Sequence, residues 1–504
     1  MSRLLQPFER MLDALIDPAR RERAVVWLLT AYCAAWTLYG ALAKGSQDVH
    51  FDMGEMPMLG RAVGFSPGTP KHPPLGGWLA SAWFAVFPQQ DWAFYLFAMV
   101  LATFALWVAW RVSEGYLDDE KRVAGLLLLT FIPFFNFHAL KYNANTVLIP
   151  LWAIATWFFL RSYETRSAFW AALAGLGAAA AMMGKYWSIF LLAGLGVAAV
   201  VDARRAQYFR SPAPWITVGV GALLFGPHII WLVAHDFAPF GYAVTGHHGT
   251  LGESVLSGLG FLLGIAAYIA APVAIAALMT RPSMAVIGDT VWPHQPKRRF
   301  ALIAFVAPLL LPAIAAVLAE VQIVSLWAIC AMTLLPVVLL SSPLLTVTRR
   351  ATTWLLAAAI VFPILMVLAA PFIAVWIHRE GVPNYATHYR LLAQTIDRIW
   401  HANANAPLRF IGSYTNIVNG VSFYLPDKPI TLDIVDPPST PWADDASVTR
   451  AGIALVCPEP EAICMHFLNQ RAGTLPRHAV TLSREHWGVR DKPVRYIIVV
   501  VPPK

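Results

Sequence analysis

Charge is scarce in this sequence. Asp, Glu, Lys and Arg make up 13% of the 504 residues, against 58% hydrophobic types, whereas an ordinary globular domain is about 25% charged and roughly 45–50% apolar. With a mean hydropathy of +0.57, a soluble protein of this size would have no surface on which to place its apolar groups. The same richness excludes a disordered chain, and 4 Cys are too few for a secreted module built on disulfides. No Gly-rich phosphate loop of the Walker or dinucleotide type is present, which disfavours a nucleotide-driven pump. An integral membrane protein remains, and the 20 Trp and 15 Tyr suit the aromatic belts of membrane interfaces. The 37 basic residues exceed the 29 acidic ones, but they punctuate apolar spans. That distribution is one of positive cytoplasmic loops, not of a nucleic-acid partner.

A helix needs roughly 20 apolar residues to cross the hydrocarbon core. The pattern predicts about eleven crossings on that criterion: Ala24–Ala43, Ala93–Trp110, Val123–Phe137, Thr146–Leu160, Ala168–Met183, Trp187–Val201, Trp215–Ala234, Val255–Met279, Ala301–Ala319, Ile323–Leu340 and Ala351–Trp376. Every second loop is basic: Arg20, Arg21 and Arg23, then Arg111, Lys121 and Arg122, then Arg161 and Arg166, then Arg204, Arg205 and Arg210, then Lys297–Arg299, then Arg349 and Arg350. This places the N-terminus in the cytoplasm and the C-terminus outside, in an inner (plasma) membrane. Met1–Arg23 carries Glu9, Asp13 and Asp17 and does not read as a signal peptide.

Two outer loops are long. The first, 44–92, is Gly/Pro-punctuated, and its segment Leu75–Phe87 is too short to span, so it is expected to lie in the interface. The second is Asp236–Ser254. After Trp376 the composition turns polar, with β-rich runs at Arg409–Ile411, Ile453–Cys457 and Tyr496–Val501 and an amphipathic stretch at Tyr389–Trp400. The expected organisation is a transmembrane domain over 1–376, with its chemistry in loop 44–92, and a periplasmic α/β domain over 377–504. Cys33 and Cys330 fall within spans as apolar fillers. Cys457 and Cys464 are compatible with a disulfide in an oxidising compartment, and their spacing is not that of a zinc site.

The first outer loop gathers Asp48, His50, Asp52 and Glu55, followed by Lys71-His72-Pro73-Pro74. The bland reading is a solvated loop. The prolines, however, hold the backbone extended and keep Lys71 and His72 at headgroup level. Carboxylates and cations there suit a reaction on a phosphorylated lipid, one taking a proton and the other offsetting charge on a leaving phosphate. Lys185 lies in the tight turn between the fifth and sixth spans, where snorkelling is the alternative. Lys141, Asn143 and Asn145 occupy the outer turn before the fourth span, where the asparagines are equally candidate helix caps. His50 with Asp48, Asp52 and Glu55 is an oxygen-rich candidate for a divalent cation, a better one than His247-His248.

An acidic motif after the first span, a Lys-His-Pro-Pro-Leu turn and an Asn-x-Asn turn before the fourth span together resemble the GT-C glycosyltransferases. More narrowly they resemble glycosyltransferase family 39, the polyprenyl-phosphate-sugar transferases that include protein O-mannosyltransferases and aminoarabinose transferases. The resemblance covers roughly Asp48 to Ala238. It implies a GT-C-like fold and an inverting transfer of a sugar from a polyprenyl-phosphate donor to a lipid, glycan or protein acceptor, with no cofactor beyond a possible divalent cation. It also implies that Asp48 is the closest match to the family's loop carboxylate, with Asp52 and Glu55 as neighbours. Where the family commonly has Asp-Glu followed by Ala-Glu, this sequence has Asp48, Asp52 and Gly54-Glu55, which leaves open which carboxylate is the base, and where the aminoarabinose branch has a Glu-Lys-Pro turn it has Lys71-His72-Pro73, with the lysine displaced by one. Lys185 matches the lysine that serves the donor phosphate, as Lys141 does in character. Asn143-Ala144-Asn145 stands where the family has Asn-Pro-Asp and lacks its carboxylate.

Two other functions compete with this one. A transporter or lipid flippase predicts ionisable groups near the bilayer midplane, whereas here they gather at the outer ends. A polytopic scaffold whose outer domain binds a partner would leave the loop charges as surface decoration.

Overall fold

The computed structural model describes residues 5–64, 66–69 and 71–504. The first four residues of the Met1–Arg23 segment therefore lie outside the described residues. The chain divides into two compact units, one of Met1–Trp36, Ala98–Leu140 and Ala144–Leu365, the other of Thr37–Phe97, Lys141–Asn143 and Met366–Lys504.

The first unit is helical. Among the described residues of the whole chain, six helices are long and apolar enough to cross a membrane: Arg21–Ala43, Asp91–Ser113, Ala213–Ala234, Leu251–Thr280, Pro296–Leu318 and Arg349–Glu380. The chain is thus a multi-pass membrane protein, and these six helices cover six of the eleven expected crossings. Two of the expected spans fail as continuous helices for identifiable reasons. Val123–Phe137 is helical only as the end of Asp119–Leu129, because Pro133 forces Ile132 into an extended conformation and opens a 3₁₀ turn. Ile323–Leu340 is two 3₁₀ turns, Ser325–Cys330 and Met332–Leu334, followed by the short helix Leu335–Leu340. Its apolar side chains from Ala328 to Val337 are mostly buried in protein, and an apolar run cannot tell that burial from lipid contact. The Ser325 turn is seated on Gly264, where a Cβ would come within 2.4 Å of the serine side chain. The segments expected at 146–160, 168–183 and 187–201 are the helices Leu148–Thr165, Ala168–Gly184 and Ile189–Val201.

The second unit is built on a five-stranded sheet. Its strands are β1 (Phe410–Ser413), β2 (Ile430–Asp433), β3 (Ile453–Pro458), β4 (His478–Leu482) and, after the ribbon of β5 (Glu485–His486) and β6 (Val489–Arg490), β7 (Val494–Val501). The order is β2-β1-β3-β7-β4, with β1 parallel to both neighbours and β7 antiparallel to β3 and β4. Side chains alternate across a strand. Ala454 and Val456 of β3 join Tyr496, Ile498 and Val500 of β7 in one core with the helices Tyr389–Asn403 and Thr415–Tyr424. Ile453, Leu455 and Cys457 face a second core with Ile497, Val499 and the helix Ala462–Ala472. Burial on both faces explains why Tyr496–Val501 reads as an unbroken apolar run. Cys457 and Cys464 form a disulfide, and Cys33 and Cys330 are buried free thiols.

The same unit contains the loop after the first span. Leu75–Val86 is helical, close to the expected bounds. The acidic stretch is not an open loop but a helix, Phe51–Val63, with Pro57 inside it. Its Gly54 lies against Asn419, whose carbonyl oxygen would be 2.2 Å from any added Cβ, and its Gly60 lies similarly against Gly77. These close approaches fix the acidic helix between Leu75–Val86 and Thr415–Tyr424.

Candidate active site

The acidic helix starts at His50, whose Nδ1 accepts the Asp52 N–H at 3.2 Å. One turn separates Asp52 from Glu55, so both emerge on neighbouring positions of one face. Lys141 reaches this helix from a turn pinned by Tyr142, whose hydroxyl donates to the Gly76 carbonyl at 2.7 Å. Its Nζ lies 2.8 Å from Asp52 Oδ2 and 3.3 Å from His50 Nε2. Lys71 Nζ donates to Glu55 Oε1 at 2.8 Å. Thr69 holds the turn before the prolines, donating its hydroxyl to the His72 carbonyl at 2.5 Å and accepting the His72 N–H; the His72 ring is half-buried.

The electrostatics follow from this crowding. Burial and then repulsion from Lys141 push the His50 imidazole down to about 4, against the pull of Asp52. Burial raises the Asp52 carboxyl, but the Lys141 ammonium, with His50 and Lys71, outweighs it and leaves the group below its usual range. Burial and Lys141 lower the Lys44 ammonium in turn. At neutral pH the cluster therefore holds a carboxylate and a neutral imidazole beside cationic amines. Such an arrangement can accept a proton at Asp52 and offer an anion cationic contacts at Lys141 and Lys71.

Asp48 has a different environment. Its side chain is fully buried, pairs with Arg484 at 2.9 Å and lies 3.6 Å from Arg390 Nε. It also accepts the Arg390 backbone N–H at 3.0 Å. Of the three carboxylates, Asp52 is the most open and Asp48 the most enclosed. Arg390, Arg484, Asp91 and Tyr424 around Asp48 were not singled out from the sequence. They lie hundreds of residues away or in unremarkable turns, and no local pattern marks them.

The remaining expected residues fall elsewhere. Asn143 is buried in the second unit. In the first unit, Lys185 Nζ donates to Asn145 Oδ1 at 2.6 Å and sits 4.8 Å from the Trp327 ring centroid. The helix after that turn begins at Leu148 with Val147 at its N-cap, so the asparagines stand outside the capping position expected for them. The oxygen-rich cation site does not assemble. Among the described residues no three His, Cys, Asp or Glu side chains gather as metal ligands would, and the carboxylates of Asp48, Asp52 and Glu55 instead each meet a basic side chain. His247 packs edge-on against Trp327 at 5.2 Å.

Residues 71–231 match the family model of dolichyl-phosphate-mannose-protein mannosyltransferase. The fold matches the crystal structure of ArnT from Cupriavidus metallidurans bound to undecaprenyl phosphate with a TM-score of 0.63 at 12% identity, covering 94% of this chain and 98% of that one. The chain has the fold of that ArnT. The apo structure of the same ArnT matches with a TM-score of 0.62 at 12% identity, over 94% of this chain and 97% of the other. No curated protein matches the chain. The family-model match over residues 71–231 and the fold shared with ArnT bear out the glycosyltransferase expected from the loop motifs, and the transporter reading is not favoured.

Proposed function

We propose that this chain transfers a sugar from a polyprenyl-phosphate carrier to a lipid, glycan or protein acceptor at the outer face of the membrane, with the N-terminus cytoplasmic and residues 377–504 periplasmic. The observation that carries the reading is the contact of Asp52 with Lys141 beside His50, a base and a cation in one partly open cluster. The ArnT relative binds undecaprenyl phosphate, which supports the donor class. The acceptor oxygen attacks the anomeric carbon and gives up its proton to Asp52, while the bond from that carbon to the phosphate oxygen breaks and configuration inverts. The leaving polyprenyl phosphate takes up negative charge that Lys141 and Lys71 offset. Asp52 is preferred to Asp48 as the base because Asp48 is enclosed by two arginines, and Glu55 is held by Lys71. Lys185, His72, Asn143 and Asn145 enter the proposal on the family resemblance alone. The test is transfer from radiolabelled polyprenyl-phosphate sugars by the purified full chain. Wild type should form covalent product and Asp52→Asn should not; equal transfer by both would refute the assigned base, and no product from any donor would refute the class.

A further inference from the structure

The ribbon of β5 and β6 closes in a two-residue turn, Trp487-Gly488, whose φ angles are +50° and +75°. Turns of this kind favour Asn, Asp or Gly, because the left-handed region is costly for a bulky side chain. Trp487 is nevertheless the residue there, and its side chain is 67% exposed. Neither backbone preference nor burial in protein accounts for a tryptophan at this position. On either side of the turn Arg490 pairs with Glu485 at 3.0 Å, both side chains well exposed. The tip is therefore a large aromatic ring flanked by charges.

The contacts at the root of the ribbon fix its level, and all of them lie within the second unit. His378 Nε2 is 3.0 Å from the Val489 carbonyl oxygen. His378 stands two residues beyond Trp376, the last of an exposed apolar stripe of Leu368, Phe372 and Trp376 on the membrane-crossing helix Arg349–Glu380. Two residues of helix rise only about 3 Å. A second crossing helix, Arg21–Ala43, ends two residues before Gly45. Arg484 donates to the Gly45 carbonyl at 3.2 Å, and a Cβ on Gly45 would stand 3.9 Å from the His486 ring. The ribbon thus rests on the ends of two helices that leave the bilayer on the same side, at the depth of an interfacial layer roughly 5–8 Å thick. We infer that the Trp487 turn is seated in the headgroup–acyl boundary of the leaflet beneath residues 377–504, with the phospholipid surface as the partner of this exposed tip. Tryptophan suits that boundary because its ring is apolar and its N–H polar, and the charges of Arg490 and Glu485 stay among the headgroups. The turn ties the C-terminal region to the lipid surface, whatever reaction the chain carries out.

The test uses the full chain with the buried free thiols Cys33 and Cys330 replaced by Ala and the disulfide kept. A nitrobenzoxadiazole label is placed at Arg490→Cys or, as a control, at Arg450→Cys. Arg450 is exposed in the helix Asp445–Ala451 just before β3, at the end of the sheet opposite the ribbon, since β3 runs antiparallel to β7. In nanodiscs of phosphatidylethanolamine and phosphatidylglycerol, a lipid carrying a nitroxide near the top of its acyl chain should quench the Arg490→Cys label several-fold more than the control. Aqueous iodide should show the reverse order. Adding Trp487→Glu should reduce lipid quenching at Arg490→Cys to the control level, while the melting temperature in detergent stays within a few degrees of wild type. Equal lipid quenching of the two labels, or quenching unchanged by Trp487→Glu, would overturn the inference. So would shielding from iodide without lipid quenching, the mark of a protein partner, and so would a clear fall in the detergent melting temperature of Trp487→Glu, the mark of packing within the protein.

Discussion

Lys141 and Asp52 meet at 2.8 Å, the proposed phosphate-binding cation on the proposed base. An incoming donor phosphate therefore competes with the carboxylate for the same ammonium. Asp52→Asn should lower the rate of transfer by about 10²–10⁴ and at the same time tighten binding of polyprenyl phosphate by about twofold to fivefold, the equivalent of a partly exposed pair worth roughly 0.5–1 kcal/mol. Lys141→Met should weaken the same binding. Isothermal titration with undecaprenyl phosphate and a single-turnover transfer assay separate the two effects.

Asp48 should behave in the opposite way. Its carboxylate is fully buried against Arg484 and near Arg390 and also accepts the Arg390 backbone N–H; because both arginines are partly exposed and Arg390 keeps Asp91, losing it costs less than the ~3–5 kcal/mol of a fully buried pair. Asp48→Asn should still lower the melting temperature clearly, whereas Asp52→Asn, at a more open position, should leave it within a few degrees. Thermal melts of the two purified variants provide the comparison.

The depressed His50 imidazole, at about 4 against an ordinary 6.5, has a signed consequence. The unfolded chain takes up a proton near 6.5 that the folded cluster refuses until about 4. The stability contribution is therefore complete above about 6.5 and is lost as pH falls toward 4. Asp52, also held below its usual range, loses its contribution only at still lower pH. His50→Gln should flatten the decline in melting temperature between pH 6.5 and 4, measured against wild type in the same detergent.

Gly54 should tolerate no side chain. A Cβ would stand 2.2 Å from the Asn419 carbonyl oxygen and 2.9 Å from its carbon, so backbone must move to admit it. Gly54→Ala should lower both the melting temperature and transfer, while Gly64→Ala, where among the described residues nothing lies within 4 Å but φ is +54° and ψ −127°, should cost about 1–3 kcal/mol of backbone strain and leave transfer intact. Paired melts and activity assays decide it.

Much of the C-terminal architecture was legible because its signals are local. The apolar run Tyr496–Val501 is a strand buried on both faces, the amphipathic Tyr389–Trp400 is a helix, and Cys457 pairs with Cys464. The acidic stretch after the first span was legible as a site but not as a helix. Gly54, Pro57 and Gly60 read as loop residues, and only tertiary contact with Asn419 and Gly77 shows why the glycines sit in a helix. The run Ile323–Leu340 misled for the converse reason: its hydropathy reflects burial in protein, and composition does not record what the burying surface is. The partners of Asp48 were illegible in principle, since Arg484 lies 436 positions away and a single sequence carries no trace of that contact.

The glycine contact between the acidic helix and Asn419 bears on how such proteins can be recombined. The segments Thr37–Phe97 and Met366–Lys504 lie far apart along the chain yet belong to one compact unit. Grafting a foreign C-terminal module at Trp376 would set an unmatched surface against the acidic helix. A chimaera that exchanges both segments together keeps each glycine opposite the backbone that requires it.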